Sequence, residues 1–182
     1  MPNRIFVTDF NRNMDPFAQA SALAAGDALV FRHYELDRQR RADLGQSLRA
    51  LCKERRALFI VAGSAPLAIM LRADGLHLPG WALAGGRNWR YSIRPNWLLS
   101  AATHNQAELV AAKRAGADLC LLSPVLPTQS HVGGATLGPI RAAKLVAEAG
   151  LPVYALGGIS QAAQKRLGDI GFRGFAGTDP DQ

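Results

Sequence analysis

The sequence carries only two cysteines in 182 residues, Cys52 and Cys120, and their spacing suits neither a disulfide framework nor a zinc site. A chain built this way must fold on its apolar core, and its composition suits a reducing, cytoplasmic compartment. Lysine is also scarce. With Lys53, Lys113, Lys144 and Lys165 the only ones, the formal charge of +7 is carried mainly by arginine, the side chain suited to phosphate and carboxylate recognition. Dense basic runs are missing: "RQRRADLGQSLRALCKERR" (residues 38–56) spaces its charges as a solvated helix face does. No nucleic-acid recognition motif accompanies them, which argues against nucleic acid as a partner. Apolar runs fall short of bilayer-spanning length, so no membrane association is expected, and "MPNRIFVTDF" lacks the order of a signal peptide. Linkers, repeats and low-complexity tracts are absent too. With 48% apolar residues, the expectation is one domain over residues 1–182 with a sizeable core.

What is present is alternation. Short apolar runs at residues 4–9, 28–34, 57–62, 75–78, 97–102, 118–123, 152–157 and 171–177 read as eight strands. Several are continuously apolar, as strands covered on both faces should be. Helical patterns separate them. Asp15 and Pro16 form an N-terminal cap signal for a helix over 17–25. Asn105 and Glu108 fit a capping box before a helix that Gly116 closes, and the patterns at 137–150 and 160–171 end in glycine. Residues 37–56 and 66–72 supply two more helices.

Eight strands interleaved with helices predict an α/β (β/α)8 TIM barrel. The length is short for one. The shortening falls between Leu78 and Trp97, where no full helix is readable, and after the eighth strand. Helix 4 and the final helix are therefore expected to be short or missing. Trp81, Trp89 and Trp97 are expected to plug the gap left by the fourth helix, the alternative being an interface rich in Trp and Arg. No surface stripe decides whether the chain forms a homo-oligomer.

In such a barrel the chemistry sits at the C-terminal ends of the strands. Read in order, those ends carry Arg32, His33, His77 and His104, followed by a long loop after strand six that holds Thr128, Ser130 and His131. All four histidines thus map to one rim, without the short ligand spacing that zinc requires. The seventh strand ends in "ALGGIS", so the amides of Gly157, Gly158 and Ile159 are candidates to bind an anion at a helix start. The eighth ends in "FAGTDP", adding the amides of Gly177 and Thr178. Loops after strands seven and eight are the usual phosphate site of this fold.

The stretches "GADLCLLSPVLPTQSHVGGATLGP" and "LPVYALGGIS", together with "FVTD", Arg32, "ADGLHL" and "SAATHNQAE", resemble the thiamine phosphate synthase/TenI family from end to end. In the synthases, a thiazole phosphate nitrogen displaces diphosphate from an aminopyrimidine-methyl diphosphate while Mg2+ holds the leaving group. The resemblance implies that Gly157, Gly158 and Ile159, helped by Gly177 and Thr178, bind the thiazole phosphate. It also implies that Arg32, Thr128, Ser130 and His131 lie over the ligand.

The sequence departs from the family pattern in one region. Val30 and Tyr34 stand where Gln and Lys usually flank the strand-two arginine; Ala62 and Gly63 replace an Asn-Asp pair; "HLPGWALAGG" lacks the aspartate that follows strand four; His131 replaces the lid lysine. Mg2+ prefers hard oxygen ligands, so metal-dependent diphosphate chemistry is expected to be weakened, and Mg2+ is implied as a cofactor only if synthase activity is retained. Two alternatives stay open. One is a metal-independent thiazole tautomerase with His131 or His104 as the proton carrier. The other is a catalytically degenerate paralogue that binds a ligand or regulates.

Overall fold

A computed structural model of the chain describes residues 1–9, 15–128 and 135–178. Eight parallel strands close into a barrel in sequential order. They are β1 (Ile5–Val7), β2 (Ala28–Phe31), β3 (Leu58–Ala62), β4 (Gly75–Leu78), β5 (Leu98–Thr103), β6 (Leu119–Leu122), β7 (Val153–Leu156) and β8 (Gly174–Gly177). Closure is made by β1 against β8, where Ile5 is in register with Ala176. The (β/α)8 expectation is met. The hydrogen-bonded ladders are shorter than the apolar runs, because residues such as Thr8, Arg32 and Ser123 belong to the rim.

Alternate strand residues serve two cores. One set, including Ile5, Val7, Val30, Ile60, Leu119, Leu121 and Tyr154, fills the barrel interior. The other, including Phe31, Phe59, Leu76, Leu99 and Leu122, packs outward under the helices. This two-sided burial is what makes the strands apolar throughout.

Among the described residues seven helices cover the barrel: α1 (Pro16–Ser21), α2 (Arg38–Glu54), α3 (Ala65–Met70), α4 (Gly80–Leu83), α5 (Gln106–Arg114), α6 (Gly138–Ala149) and α7 (Gln161–Leu167). Asp15, Asp37, Ser64, Asn105 and Ser160 each cap a helix by accepting a backbone N–H. Gly150, in the left-handed region at φ 64°, ends α6 as anticipated. α1 is shorter than its pattern, stopping at Ser21 rather than Ala25, and α7 gives way to a 3-10 turn over Gly168–Ile170. The fourth helix is reduced to one turn, followed by a 3-10 turn at Trp89–Ser92.

The N-terminal end of the barrel is held by a repeated clamp. Asp27, Asp74 and Asp118, each one residue before an even-numbered strand, pair with Arg4 (2.8 Å), Arg49 (3.2 Å) and Arg90 (2.5 Å). Asp74 and Asp118 also accept the strand N–H groups of Phe59 and Leu99. Arg90 further donates to the carbonyls of Trp97 and Gly116, tying the shortened fourth unit to the base of β5 and β6. Trp97 is buried, and Trp89 packs on the core with its indole N–H directed at the Ala82 carbonyl. These two fill the gap as expected. Trp81 does not: it stands 67% exposed at the opposite end of the barrel.

Candidate functional site at the C-terminal rim

The rim divides into two halves. Above β7 and β8, Gly157 and Gly158 follow each other at φ 91° and 70°, a turn open to glycine and strained for other residues. A second reason for glycine is steric. A Cβ on Gly158 would lie 2.3 Å from the Pro127 carbonyl oxygen, and one on Gly157 would lie 3.0 Å from Pro124 Cα. The loop after β6 lies directly on this turn, with Val125 N donating to Leu156 O and Leu126 N to Gly157 O. The glycine pair therefore serves the approach of two chain segments, which the sequence alone did not reveal. Thr128 lies one residue beyond this contact; Ser130 and His131 lie outside the described residues. Ile159 is buried, and Ser160 caps α7 while remaining exposed. Gln19 of α1, itself buried, donates its side-chain amide to the Thr178 carbonyl, fixing the turn after β8 beside this one.

Above β2, β3 and β4 the chemistry differs. The Arg32 backbone is held from both sides: its N–H donates to Thr8 Oγ1 at 2.9 Å, and its carbonyl accepts from Arg41 Nε at 3.0 Å. Arg41 also donates to the Ala62 carbonyl at 2.7 Å, bridging the ends of β2 and β3. Thr8 Oγ1 lies 2.9 Å from His33 Nδ1, and His33 is held at a positive φ of 38°, stacked on Phe31. Burial pulls the His33 pKa below its ordinary value, partly opposed by Glu35. Sequence reasoning placed Thr8 at the end of strand one without giving it a role, and passed over Arg41. Their signal was weak, since each looks like an ordinary strand or helix residue.

The histidines do not all share one environment. His77 lies within β4, points into the barrel and pairs through Nδ1 with Ser100 Oγ at 2.9 Å. Burial, aided by the nearby Arg32 charge, lowers its pKa to about 3, so it is neutral near pH 7. His104 is exposed at the end of β5, with Nδ1 2.7 Å from the Ser123 carbonyl. A carbonyl only accepts, so Nδ1 carries the proton and the neutral ring presents Nε2 as its basic nitrogen. Both thiols are buried, which raises their pKa values to about 12 and removes them as nucleophiles.

Gly63, at φ 72°, stands where a side chain would meet Tyr34 Cε1 at 3.0 Å and Trp81 Cζ2 at 3.4 Å. The nearest neighbours of that position are thus aromatic carbons, with the Tyr34 hydroxyl at 3.5 Å. Among the described residues no three His, Cys, Asp or Glu side chains converge as a metal site. At the two positions where the family pattern has an Asn-Asp pair, Ala62 and Gly63 bring no side-chain oxygen of the kind Mg2+ prefers.

Comparison with known proteins matches this architecture to one family. The sequence model described as thiamine monophosphate synthase (TMP-TENI) aligns with residues 5–179. The chain is 33% identical over 159 residues to the thiamine biosynthesis bifunctional protein ThiED of Geobacter sulfurreducens, covering 85% of this chain and 31% of that protein. It is 30% identical over 181 residues to the provisionally named thiamine-phosphate synthase 2 of Aquifex aeolicus, covering 97% of this chain and 96% of the relative. The chain thus spans about a third of the first relative and nearly all of the second. Among solved structures, a thiamine phosphate pyrophosphorylase from Pyrococcus furiosus superposes with a TM-score of 0.79 at 25% identity, over 96% of this chain and 84% of that one.

Proposed function

Because the chain belongs to the thiamine monophosphate synthase family, we propose that it acts in thiamine biosynthesis and binds a phosphorylated thiazole above β7 and β8. The observation that carries this reading is the turn of Gly157 and Gly158, placed between β7 and a capped helix at the rim that serves this fold as its phosphate site. The amides of Gly157, Gly158 and Ile159, with those of Gly177 and Thr178, receive the phosphate. Thr128, Ser130 and His131 belong to the loop that covers the ligand.

The family reaction needs a second component, a diphosphate leaving group, and metal is its usual stabiliser. Here Arg32 is the one family cation retained on strand two, and Ala62, Gly63, Tyr34 and Trp81 supply no ligand oxygens suited to Mg2+. Diphosphate departure therefore relies on positioned arginine charge, and synthase turnover is weak. Arg32 is well placed for that role because Thr8 and Arg41 fix its backbone. Assay of thiamine phosphate formation with and without Mg2+ tests this. The expected result is trace turnover with little metal dependence; vigorous Mg2+-dependent turnover would contradict it.

A second reading, thiazole tautomerisation, is favoured by His104. Its Nδ1 is anchored to the Ser123 carbonyl, leaving Nε2 free to take a proton without any metal. Tautomerase activity lost in His104→Ala and insensitive to chelator would establish it. Full activity in that variant would remove His104 as the base.

A further inference from the structure

The N-terminal end of the barrel, which in this fold ordinarily serves stability, also holds a cleft. It measures about 400 Å3 and opens by the starts of β3, β4 and β5. Leu58 and Leu98 give it an apolar wall, while Arg72, Asp74, Arg94 and Asn96 supply its polar groups. Asp74 is neutralised in place. One of its carboxylate oxygens pairs with Arg49 at 3.2 Å, and the other accepts the Phe59 N–H at 2.8 Å. Among the described residues neither Arg72 nor Arg94 has a carboxylate partner. The cleft therefore keeps two guanidinium charges that no protein group offsets.

Both arginines stand on fixed turns. Helices α5 and α6 are followed by glycine in the left-handed region, Gly116 at φ 81° and Gly150 at φ 64°. α3 reaches the same conformation with Arg72, at φ 51°, and so accepts a backbone cost that glycine would avoid. The Arg72 carbonyl accepts from Arg49 Nε at 3.1 Å, which pins that turn. Arg94 opens a turn that Trp97 closes by donating its N–H to the Arg94 carbonyl at 3.1 Å, with Pro95 presetting the corner. The Arg94 guanidinium lies 5.8 Å from the centroid of the buried Trp97 ring.

Positioned arginines with an amide and an apolar wall beside them suit the oxygens of a phosphate and the organic group attached to it. We propose that this cleft binds a small phosphate ester, its phosphate on Arg72, Arg94 and the Asn96 amide and its organic part against Leu58 and Leu98. The cleft shares no residue with the turn above β7 and β8. A bound phosphate joins the end of α3 to the turn before β5 and so braces the fourth unit, whose own helix is the single turn Gly80–Leu83.

The test titrates phenyl phosphate into the full chain, labelled with 15N and 13C and backbone-assigned, at constant ionic strength with EDTA present. The amides of Ala73, Asn96 and Leu98 should shift saturably. Inorganic phosphate, with nothing to place against the apolar wall, should bind more weakly. Arg94→Gln should weaken phenyl phosphate binding about tenfold or more. Arg72→Gly should weaken it by a similar factor while the urea midpoint holds or rises, because the left-handed strain is relieved. The Gly157 and Gly158 amides report the C-terminal rim in the same spectra, and shifts confined to them would overturn the proposal. Unchanged affinity in both variants, or equal affinity for inorganic phosphate, would do the same. A lower urea midpoint in Arg72→Gly with affinity intact would overturn it in favour of a purely structural arginine. A response to a polyglutamate peptide but not to phenyl phosphate would overturn it in favour of an acidic protein segment.

Discussion

At the scale of single residues, Ser160 offers the cleanest handle on the proposed phosphate site. It caps α7 by accepting from Ala163 N at 3.2 Å and is exposed. Aspartate caps a helix as well as serine does, so Ser160→Asp should keep or raise the melting temperature. The new negative charge beside the cradle should nevertheless weaken thiazole phosphate binding by about tenfold or more. Ser160→Ala should do the reverse, costing about 1 kcal/mol of stability and little affinity. Calorimetric titration and thermal unfolding of both variants check this, and equal affinities would place the phosphate elsewhere. Gly158 is a poorer handle. Gly158→Ala would push a Cβ against the Pro127 carbonyl in a left-handed backbone, so a stability loss of about 1–3 kcal/mol is expected with no ligand present. Urea denaturation measures it. A glycine pair in the sequence shows where the chain bends tightly; only the structure shows that the neighbour pressing on it is the loop after β6.

At the scale of elements, the clamps and caps carry the predictions. Asp118 accepts from Arg90 and from the Leu99 N–H at the base of the barrel, away from the rim. Asp118→Ala should destabilise by about 2 kcal/mol, since hydrogen bonds to a charged group are lost and a strand N–H is orphaned. The shift in urea midpoint should come without a change in ligand affinity. Much of this level was legible in advance. Asp15, Asn105 and Gly150 mark helix ends through side-chain and backbone preferences that act locally, so the sequence reading located them. Strand lengths were overread at residues 4–9 and 28–34, where the rim residues Thr8, Asp9, Arg32 and His33 were counted with strands whose ladders end at Val7 and Phe31. The tryptophans were read only in part. Whether Trp81 plugs a gap or faces solvent depends on how a one-turn helix is set on β4, and composition carries no signal for that. Tyr34 was visible as a departure from the family pattern, but its approach to Gly63 across two strands was not.

At the scale of the molecule, the interior of the barrel makes stability depend on pH. His77 is buried beside Ser100, with Arg32 above it and no carboxylate among the causes of its shift, and its pKa falls from 6.5 to about 3. The unfolded chain binds this proton below pH 6.5 while the folded chain refuses it until about pH 3. The stabilising effect is therefore complete above pH 6.5 and is lost progressively as pH falls, at about 1.4 kcal/mol per pH unit. His33, also shifted downward, adds to the loss in the same direction. Urea unfolding at pH 7, 6 and 5 should show a steep decline that is shallower in His77→Asn. Identical slopes in the two proteins would show that His77 is not the responsible group.

The two halves of the rim express the central claim: a phosphate cradle above β7 and β8 is kept, and a metal-dependent half above β2–β4 is replaced. Titration calorimetry with hydroxyethylthiazole phosphate, run once with Mg2+ and once with chelator, tests it most directly. The account predicts binding of equal affinity under both conditions. Absence of binding, or binding that appears only with Mg2+, would contradict it.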